Sequence, residues 1–301
     1  MGYMQDDTLH YRMRLTNQEI TMDHTLHICL TTDQNYLELT EICINEIILH
    51  KDPSTEIVFY ILGNNVDLSI LQKFERYPGI SIVLYAVDFN QIVSKDHTNR
   101  YLSNTMYFRI LIPTLDIFKD VEKVLYLDSD VLARKDLSEY YNTDISQVAL
   151  GVIKDFGCAN VFNDQPVDLK KYTYFYSGQL LMNLPRLKEI NFSKRCLDIL
   201  NQIHQPDQPI INKVIGTDVV YLDPKYCFSW HKTFTYKGNY CNIYLWNKTY
   251  GTNYKSIQDL TDSSVIWHFH GDKHAQRQVK VLNDLYLSSL NRVKQFLGGN
   301  E

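Results

Sequence analysis

The 301 residues are 45% apolar, enough to fill a sizeable core, so the chain reads as one compact domain. Thirty Lys and Arg against 35 Asp and Glu leave a formal charge of −5, which argues against a surface that tracks a phosphodiester backbone and so against nucleic acid as a partner. No stretch approaches the ~20 apolar residues of a membrane span, and Met1 to Met22 is polar without a signal-peptide apolar region.

Residues 1–25 carry little periodicity and read as a polar N-terminal extension, which leaves 26–301 for the domain. Leu26 to Thr32 is a short apolar run, and Tyr36 to His50 then places Leu39, Ile42, Cys43, Ile47 and Ile48 at helical spacing. Glu56 to Leu62 and Ile80 to Val87 repeat the strand signature, with an amphipathic helix expected over Asp67 to Tyr77. Further helices are expected over Tyr101 to Leu111, ended by Pro113, and over Lys194 to His204 and Val279 to Phe296. Strands are expected at Lys123 to Leu127, Val148 to Ile153, Phe175 to Asn183, Val219 to Leu222 and Ser264 to Phe269. This alternation predicts an α/β fold with a mostly parallel central sheet and helices on both faces.

Six cysteines, Cys29, Cys43, Cys158, Cys196, Cys227 and Cys241, include no C-x-x-C pair and read as reduced, buried thiols of a cytoplasmic protein. Peripheral contact with the cytoplasmic face of a membrane is compatible with this reading.

Four segments offer chemistry. In Val124-Leu125-Tyr126-Leu127-Asp128-Ser129-Asp130, an apolar strand runs into two carboxylates one residue apart. Ligands bind at such carboxyl ends of open α/β sheets, and two carboxylates there repel each other unless a cation sits between them. Oxygen ligands of this kind suit Mg²⁺ or Mn²⁺, whereas an isolated D-x-D also serves as an ordinary turn. In Val265 to His274 a strand-like run delivers His268 and His270 to one side, followed by Gly271 and Lys273. A metal-ligating imidazole with a phosphate-neutralising lysine and a plain surface turn both fit this pattern. Asp207-Gln208 opens a short helix that Asp207 is expected to cap. In Tyr174 to Leu184 the Ser177-Gly178 pair interrupts an aromatic strand, the mark of a bulge or a close backbone approach.

In order and spacing these segments resemble family 8 of the glycosyltransferases, which includes bacterial lipopolysaccharide galactosyl- and glucosyltransferases and glycogenin. The resemblance runs from about Leu26 to His274. It implies a single Rossmann-like domain of the GT-A type, with an acceptor-side region in the C-terminal half. By similarity Thr31, Thr32, Asp33, Asn35 and Tyr36 form the nucleotide-contacting loop, Arg109 reaches toward the donor with Asp128 and Ser129, and Gly271 and Lys273 meet the diphosphate. The same similarity makes Asp128, Asp130 and His268 the metal ligands and sets Asp207 and Gln208 beside the anomeric carbon. Three departures stand out: Tyr176-Ser177-Gly178 replaces the usual Asn-Ala-Gly or Asn-Ser-Gly, His274-Ala275 follows Lys273 where Pro-Trp is usual, and the N-terminal extension and Trp230 to Thr261 match nothing in the family pattern.

The implied reaction is transfer of galactose or glucose from a UDP-sugar to a glycan, glycolipid or glycoprotein acceptor in a bacterium, with retention of configuration. A mixed carboxylate and imidazole site favours Mn²⁺, with Mg²⁺ second, and the cation would stabilise the leaving diphosphate. Retaining glycosidases use a carboxylate nucleophile. Gln208 is a weak nucleophile, which points to front-face attack with the leaving phosphate taking the acceptor's proton. The competing readings are a module that binds a nucleotide sugar or glycan without turnover, a self-glucosylating primer, and a nucleotidyl transferase. The last lacks a basic Gly-rich loop after the first strand.

Overall fold

A computed structural model describes residues 25–88, 104–155, 173–202, 205–229 and 243–269, together with 287, 288, 291, 292 and 295. The strands are β1 (Thr25–Asp33), β2 (Glu56–Asn64), β3 (Ile80–Ala86), β4 (Lys123–Leu127), β5 (Val131–Ala133), β6 (Leu150–Val152), β7 (Gln179–Asn183), β8 (Val219–Tyr221), β9 (Phe228–Ser229) and β10 (Ile266–His268). The helices are α1 (Leu37–His50), α2 (Phe108–Leu111), α3 (Ser138–Tyr141), α4 (Leu184–Glu189), α5 (Phe192–Leu200), α6 (Asp207–Ile215), α7 (Ile243–Tyr250) and α8 (Ile257–Ser263).

Seven strands form the main sheet in the order β3-β2-β1-β4-β7-β6-β8. All pairings are parallel except those of β7, which runs antiparallel to both β4 and β6. The fold is thus the expected α/β arrangement, with one strand reversed. That reversal matters for the site: the start of β7 lies at the same sheet edge as the carboxyl ends of β1, β4 and β6.

Both faces of the sheet are covered, which explains the near-continuous apolar strands. Along β1, Ile28 and Leu30 join one core layer with Ile57, Phe59, Ile61, Leu125 and Leu127, against which Ile44 and Ile47 of α1 pack. Cys29, Val58, Tyr60, Leu62, Val124 and Tyr126 face the opposite layer, covered by Phe192, Cys196, Ile210, Ile211 and Val214. Each fully buried aliphatic side chain contributes roughly 1.5–3 kcal/mol. Cys29, Cys43, Cys196 and Cys227 are free and buried; Cys158 and Cys241 lie outside the described residues, as do residues 1–24.

Several boundaries differ from the sequence expectation. The segment Leu68–Arg76 is a 3-10 helix, started by Asp67, which accepts from the Ser69 amide. Over 101–111 the described part is a 3-10 turn, Asn104–Tyr107, running into the single turn of α2, and Pro113 sits inside a further 3-10 turn, Ile112–Thr114. β7 begins only at Gln179, after a bend at Ser177 and Gly178. Positions 287, 288, 291, 292 and 295 are helical, in line with the C-terminal helix expected there. Two helices that the pattern did not reveal, α7 and α8, flank a small second sheet, β5-β10-β9. No helix among the described residues is long and apolar enough to cross a membrane.

Candidate active site

β4 ends at Leu127, and the next residues, Asp128 to Asp130, turn at the carboxyl edge of the main sheet before β5 leads away. β10 pairs antiparallel with β5, placing His268 opposite Val131, and the Phe269 amide donates to the Asp130 carbonyl at 3.0 Å. The second sheet therefore carries His268 to the Asp-Ser-Asp turn. His268 Nε2 lies 2.8 Å from Asp130 Oδ1 and 3.8 Å from Asp128 Oδ2. Ligand atoms of Asp128, Asp130 and His268 all lie within 4.8 Å of one another. Two carboxylate oxygens and one imidazole nitrogen at this spacing suit a divalent cation that accepts both donor types.

Electrostatics fit the same reading. Burial raises the Asp128 carboxyl above its ordinary range, with Arg109 pulling the other way. Burial also disfavours an imidazolium at His268, but the Asp130 carboxylate outweighs it and lifts the ring to about 10. His268 thus offsets the carboxylates with its own proton, which a bound cation would displace.

Arg109, on α2, is buried behind this cluster. Its guanidinium pairs with Asp128 Oδ1 at 2.7 Å and Asp207 Oδ2 at 3.3 Å, and donates to the carbonyls of Ser177 at 2.6 Å and Met106 at 2.8 Å. The guanidinium also stacks over Tyr126, 4.5 Å from its ring centroid. Arg109 therefore joins the Asp-Ser-Asp turn to the start of α6. Asp207 is the first residue of α6 and its side chain does not cap the helix, contrary to the sequence expectation; the residue before it, Pro206, is the N-cap. The carboxylate instead accepts from Ser177 Oγ at 2.9 Å and pairs with Arg109, which compete successfully for the group a cap would have used.

Gln208 has its amide fixed at both ends: Nε2 donates to Asp155 Oδ2 at 2.7 Å, and Oε1 accepts from the Ser177 amide at 3.1 Å. Gly178 packs directly against the cluster, and its carbonyl accepts from the Asp128 amide at 2.8 Å. A Cβ there would lie 2.5 Å from Asp128 Oδ2 and would collide with the Tyr176 hydroxyl, so a side chain is sterically barred. Tyr176 is buried with its hydroxyl 3.1 Å from both ring nitrogens of His268.

The loop after β1 meets the same edge. Asp33 Oδ1 accepts from the amides of Asn35 at 2.8 Å and Tyr36 at 3.1 Å, which folds the loop into the start of α1. Thr31 and Thr32 are buried; Ser129 Oγ donates to the Thr31 carbonyl at 2.8 Å, and Thr40 Oγ1 donates to Thr32 Oγ1 at 2.8 Å. Thr31, Thr32, Asp33, Asn35, Tyr36, Arg109, Asp128, Ser129, Asp130, Asp207, Gln208 and His268 thus gather at one sheet edge, while Gly271 and Lys273, with His270 and His274, lie outside the described residues.

Two neighbours were not singled out from the sequence, Tyr126 and Asp155; Ser177 stood out only as part of the Ser-Gly interruption, not as a partner of Asp207. Strand parity could have found Tyr126, two residues before Asp128 and on the same side. Asp155 follows the apolar run of β6 much as Asp128 follows β4.

The model of Glycosyl transferase family 8 matches residues 27–274. The Lipopolysaccharide 1,2-glucosyltransferase of Escherichia coli K12 is 24% identical over 86% of this chain and 74% of its own length. The Lipopolysaccharide 1,3-galactosyltransferase of Salmonella typhimurium is 22% identical over 74% of this chain and 69% of its own. A relative from Haemophilus influenzae is 26% identical, and the chain spans 64% of that protein's length. Among solved structures, galactosyltransferase LgtC in complex with donor and acceptor sugar analogs superposes with a TM-score of 0.66 at 19% identity, covering 89% of this chain and 96% of LgtC. The bifunctional glycosyltransferase WbbM gives a TM-score of 0.68 at 19% identity over 90% of this chain, which spans 50% of the WbbM chain. These neighbours share the GT-A fold, with its mostly parallel α/β sheet. With the family pattern running from β1 past His268, the chain belongs to glycosyltransferase family 8.

Proposed function

We propose that this chain transfers a hexose, galactose or glucose, from a UDP-sugar to a glycan acceptor with retention of configuration, using Mn²⁺. The observation that carries this reading is the Asp128, Asp130 and His268 cluster, joined through Arg109 to Asp207 and Gln208 at a single sheet edge. Asp128, Asp130 and His268 would hold the cation, which supplies positive charge to the departing diphosphate. The end of β1 and the turn after it, from Thr31 to Tyr36, receive the nucleotide, beside Ser129. Relatives named for lipopolysaccharide glucosyl and galactosyl transfer support a surface glycan or glycolipid as the acceptor.

The remaining residues orient the sugar. Asp207 spends its carboxylate on Arg109 and Ser177, and Gln208 is an amide pinned between Asp155 and the Ser177 amide. Neither is poised as a nucleophile. This arrangement supports attack from the face of the leaving group, with the acceptor's proton passing to the departing phosphate oxygen.

Hydrolysis of a panel of nucleotide sugars, with Mn²⁺ and with chelator, tests the reading in wild type and Asp130→Asn. Release of UDP from one donor, dependent on the metal and lost in the variant, is expected. Binding of UDP with no turnover of any donor, even when glycan acceptors are supplied, would point instead to a module that holds nucleotide sugars without transferring them.

A further inference from the structure

Asp128 presents two oxygens that do different work. Oδ1 accepts from the Tyr126 hydroxyl at 2.7 Å and pairs with the Arg109 guanidinium at 2.7 Å. Oδ2 is the oxygen on the side of His268 Nε2, at 3.8 Å. Two donors on one oxygen fix the rotation of the carboxylate and turn the other toward the cluster.

Tyr126 is fully buried, its ring face against Arg109 and its hydroxyl between two partners. The phenol has one proton, and it goes to Asp128. At 3.1 Å, Thr31 Oγ1 must therefore donate to the phenol oxygen. Thr31 lies near the end of β1, ahead of the loop that leads into α1, and Ser129 Oγ ties its carbonyl to the same Asp-Ser-Asp turn at 2.8 Å. A continuous run of hydrogen bonds thus joins the carboxyl end of β1 to the carboxylate of the cluster.

We propose that Tyr126 is a positioning residue that holds Asp128 in its metal-binding rotation and couples cation binding to nucleotide binding through Thr31. The inference rests on the metal-dependent reading given above. Groups that orient metal ligands typically change metal affinity 10–100-fold when removed. By reciprocity, whatever Mn²⁺ does to the affinity for UDP, UDP does to the affinity for Mn²⁺, so a lost link shows in both directions.

The test is Mn²⁺ binding followed through the signal of the free ion, with and without UDP, in wild type, Tyr126→Phe, Thr31→Val and Thr31→Ser. Tyr126→Phe keeps the ring in the core and removes one oxygen; its folding is checked by thermal melting. Mn²⁺ affinity should fall at least tenfold in Tyr126→Phe, and the gain in UDP affinity on adding Mn²⁺ should shrink. A fall of less than tenfold overturns the inference. If Tyr126→Phe does not fold, the Thr31 pair decides: Thr31→Val should lose the UDP–Mn²⁺ coupling while Thr31→Ser keeps it, and equal coupling in both overturns the inference. A wild-type protein that binds no Mn²⁺ removes the metal-dependent reading along with it, whereas tight binding by both wild type and Tyr126→Phe removes the inference alone.

Discussion

Replacing Arg109 by methionine keeps the length of the side chain and removes the charge that Asp128 and Asp207 share. The side chains of Arg109 and Asp207 are 5% and 8% exposed, and that of Asp128 is 24% exposed. Removing one partner of a buried ion pair costs ~3–5 kcal/mol, because the other charge stays buried without compensation. The lower end applies here, since Ser177 Oγ still donates to Asp207 and the Tyr126 hydroxyl to Asp128. At about 3 kcal/mol, and roughly 2–4 °C per kcal/mol for a large domain, the melting temperature should drop by about 6–12 °C. Thermal and urea unfolding at neutral pH, without metal, measure this. The double variant Arg109→Met with Asp207→Asn should recover part of the loss, because it removes the more deeply buried of the two stranded charges. The sign with pH also follows: burial raises the Asp128 carboxyl and Arg109 lowers it, so without Arg109 it binds a proton more readily folded than unfolded and the penalty should shrink as pH is lowered toward 5. A drop below 3 °C, or strictly additive losses in the double variant, would show that Arg109 does not hold the two carboxylates.

Gly178→Ala would drive a methyl group against the Tyr176 hydroxyl and to 2.5 Å from Asp128 Oδ2. Because that phenol is rigid and the carboxylate is held by Tyr126 and Arg109, Mn²⁺ affinity measured by titration should fall at least tenfold. Gly151→Ala is the contrasting case: its Cβ would sit 3.2 Å from Ile145, Leu181 and Leu222 in the core of the sheet. Overpacking of this kind costs about 1–3 kcal/mol in unfolding experiments, and Mn²⁺ binding should be unchanged. His268, lifted to about 10 mainly by Asp130 against burial, binds its proton more tightly folded than unfolded. Its stabilisation is complete below the ordinary histidine range and is lost as pH rises toward 10; unfolding followed from pH 6 to 10 should show that decline in wild type and a flatter profile in Asp130→Asn.

Much of the fold was legible because its strands are buried on both faces. Near-continuous apolar runs such as Glu56 to Leu62 and Lys123 to Leu127 have few alternatives, and Leu39, Ile42, Cys43 and Ile47 keep a helical spacing within Leu37–His50 although that helix is buried from Ile42 to Ile48. The region from 230 to 261 was silent by the same logic: α7 and α8 are short, and part of their apolar surface meets only the small cluster of Phe228, Trp246 and Leu260. Asp67 to Tyr77 carries a helical pattern, but periodicity over nine residues does not separate a 3-10 from an α-helix.

The residue types of the site were visible too, since two carboxylates directly after a buried strand demand compensation. What compensates them is a matter of tertiary structure. His268 lies 138 positions beyond Asp130 in the chain and reaches it only because β10 pairs with β5, in a second sheet that no local pattern announces. Likewise, the reversal of β7 places Ser177 against Asp207 and Gln208, and a single buried guanidinium holds Asp128 and Asp207 together. Sequence period fixes which face a side chain takes, because that depends on neighbouring backbone angles alone. Which oxygens share a proton or a cation depends on contacts closed across long loops, and these are decided only when the sheets assemble.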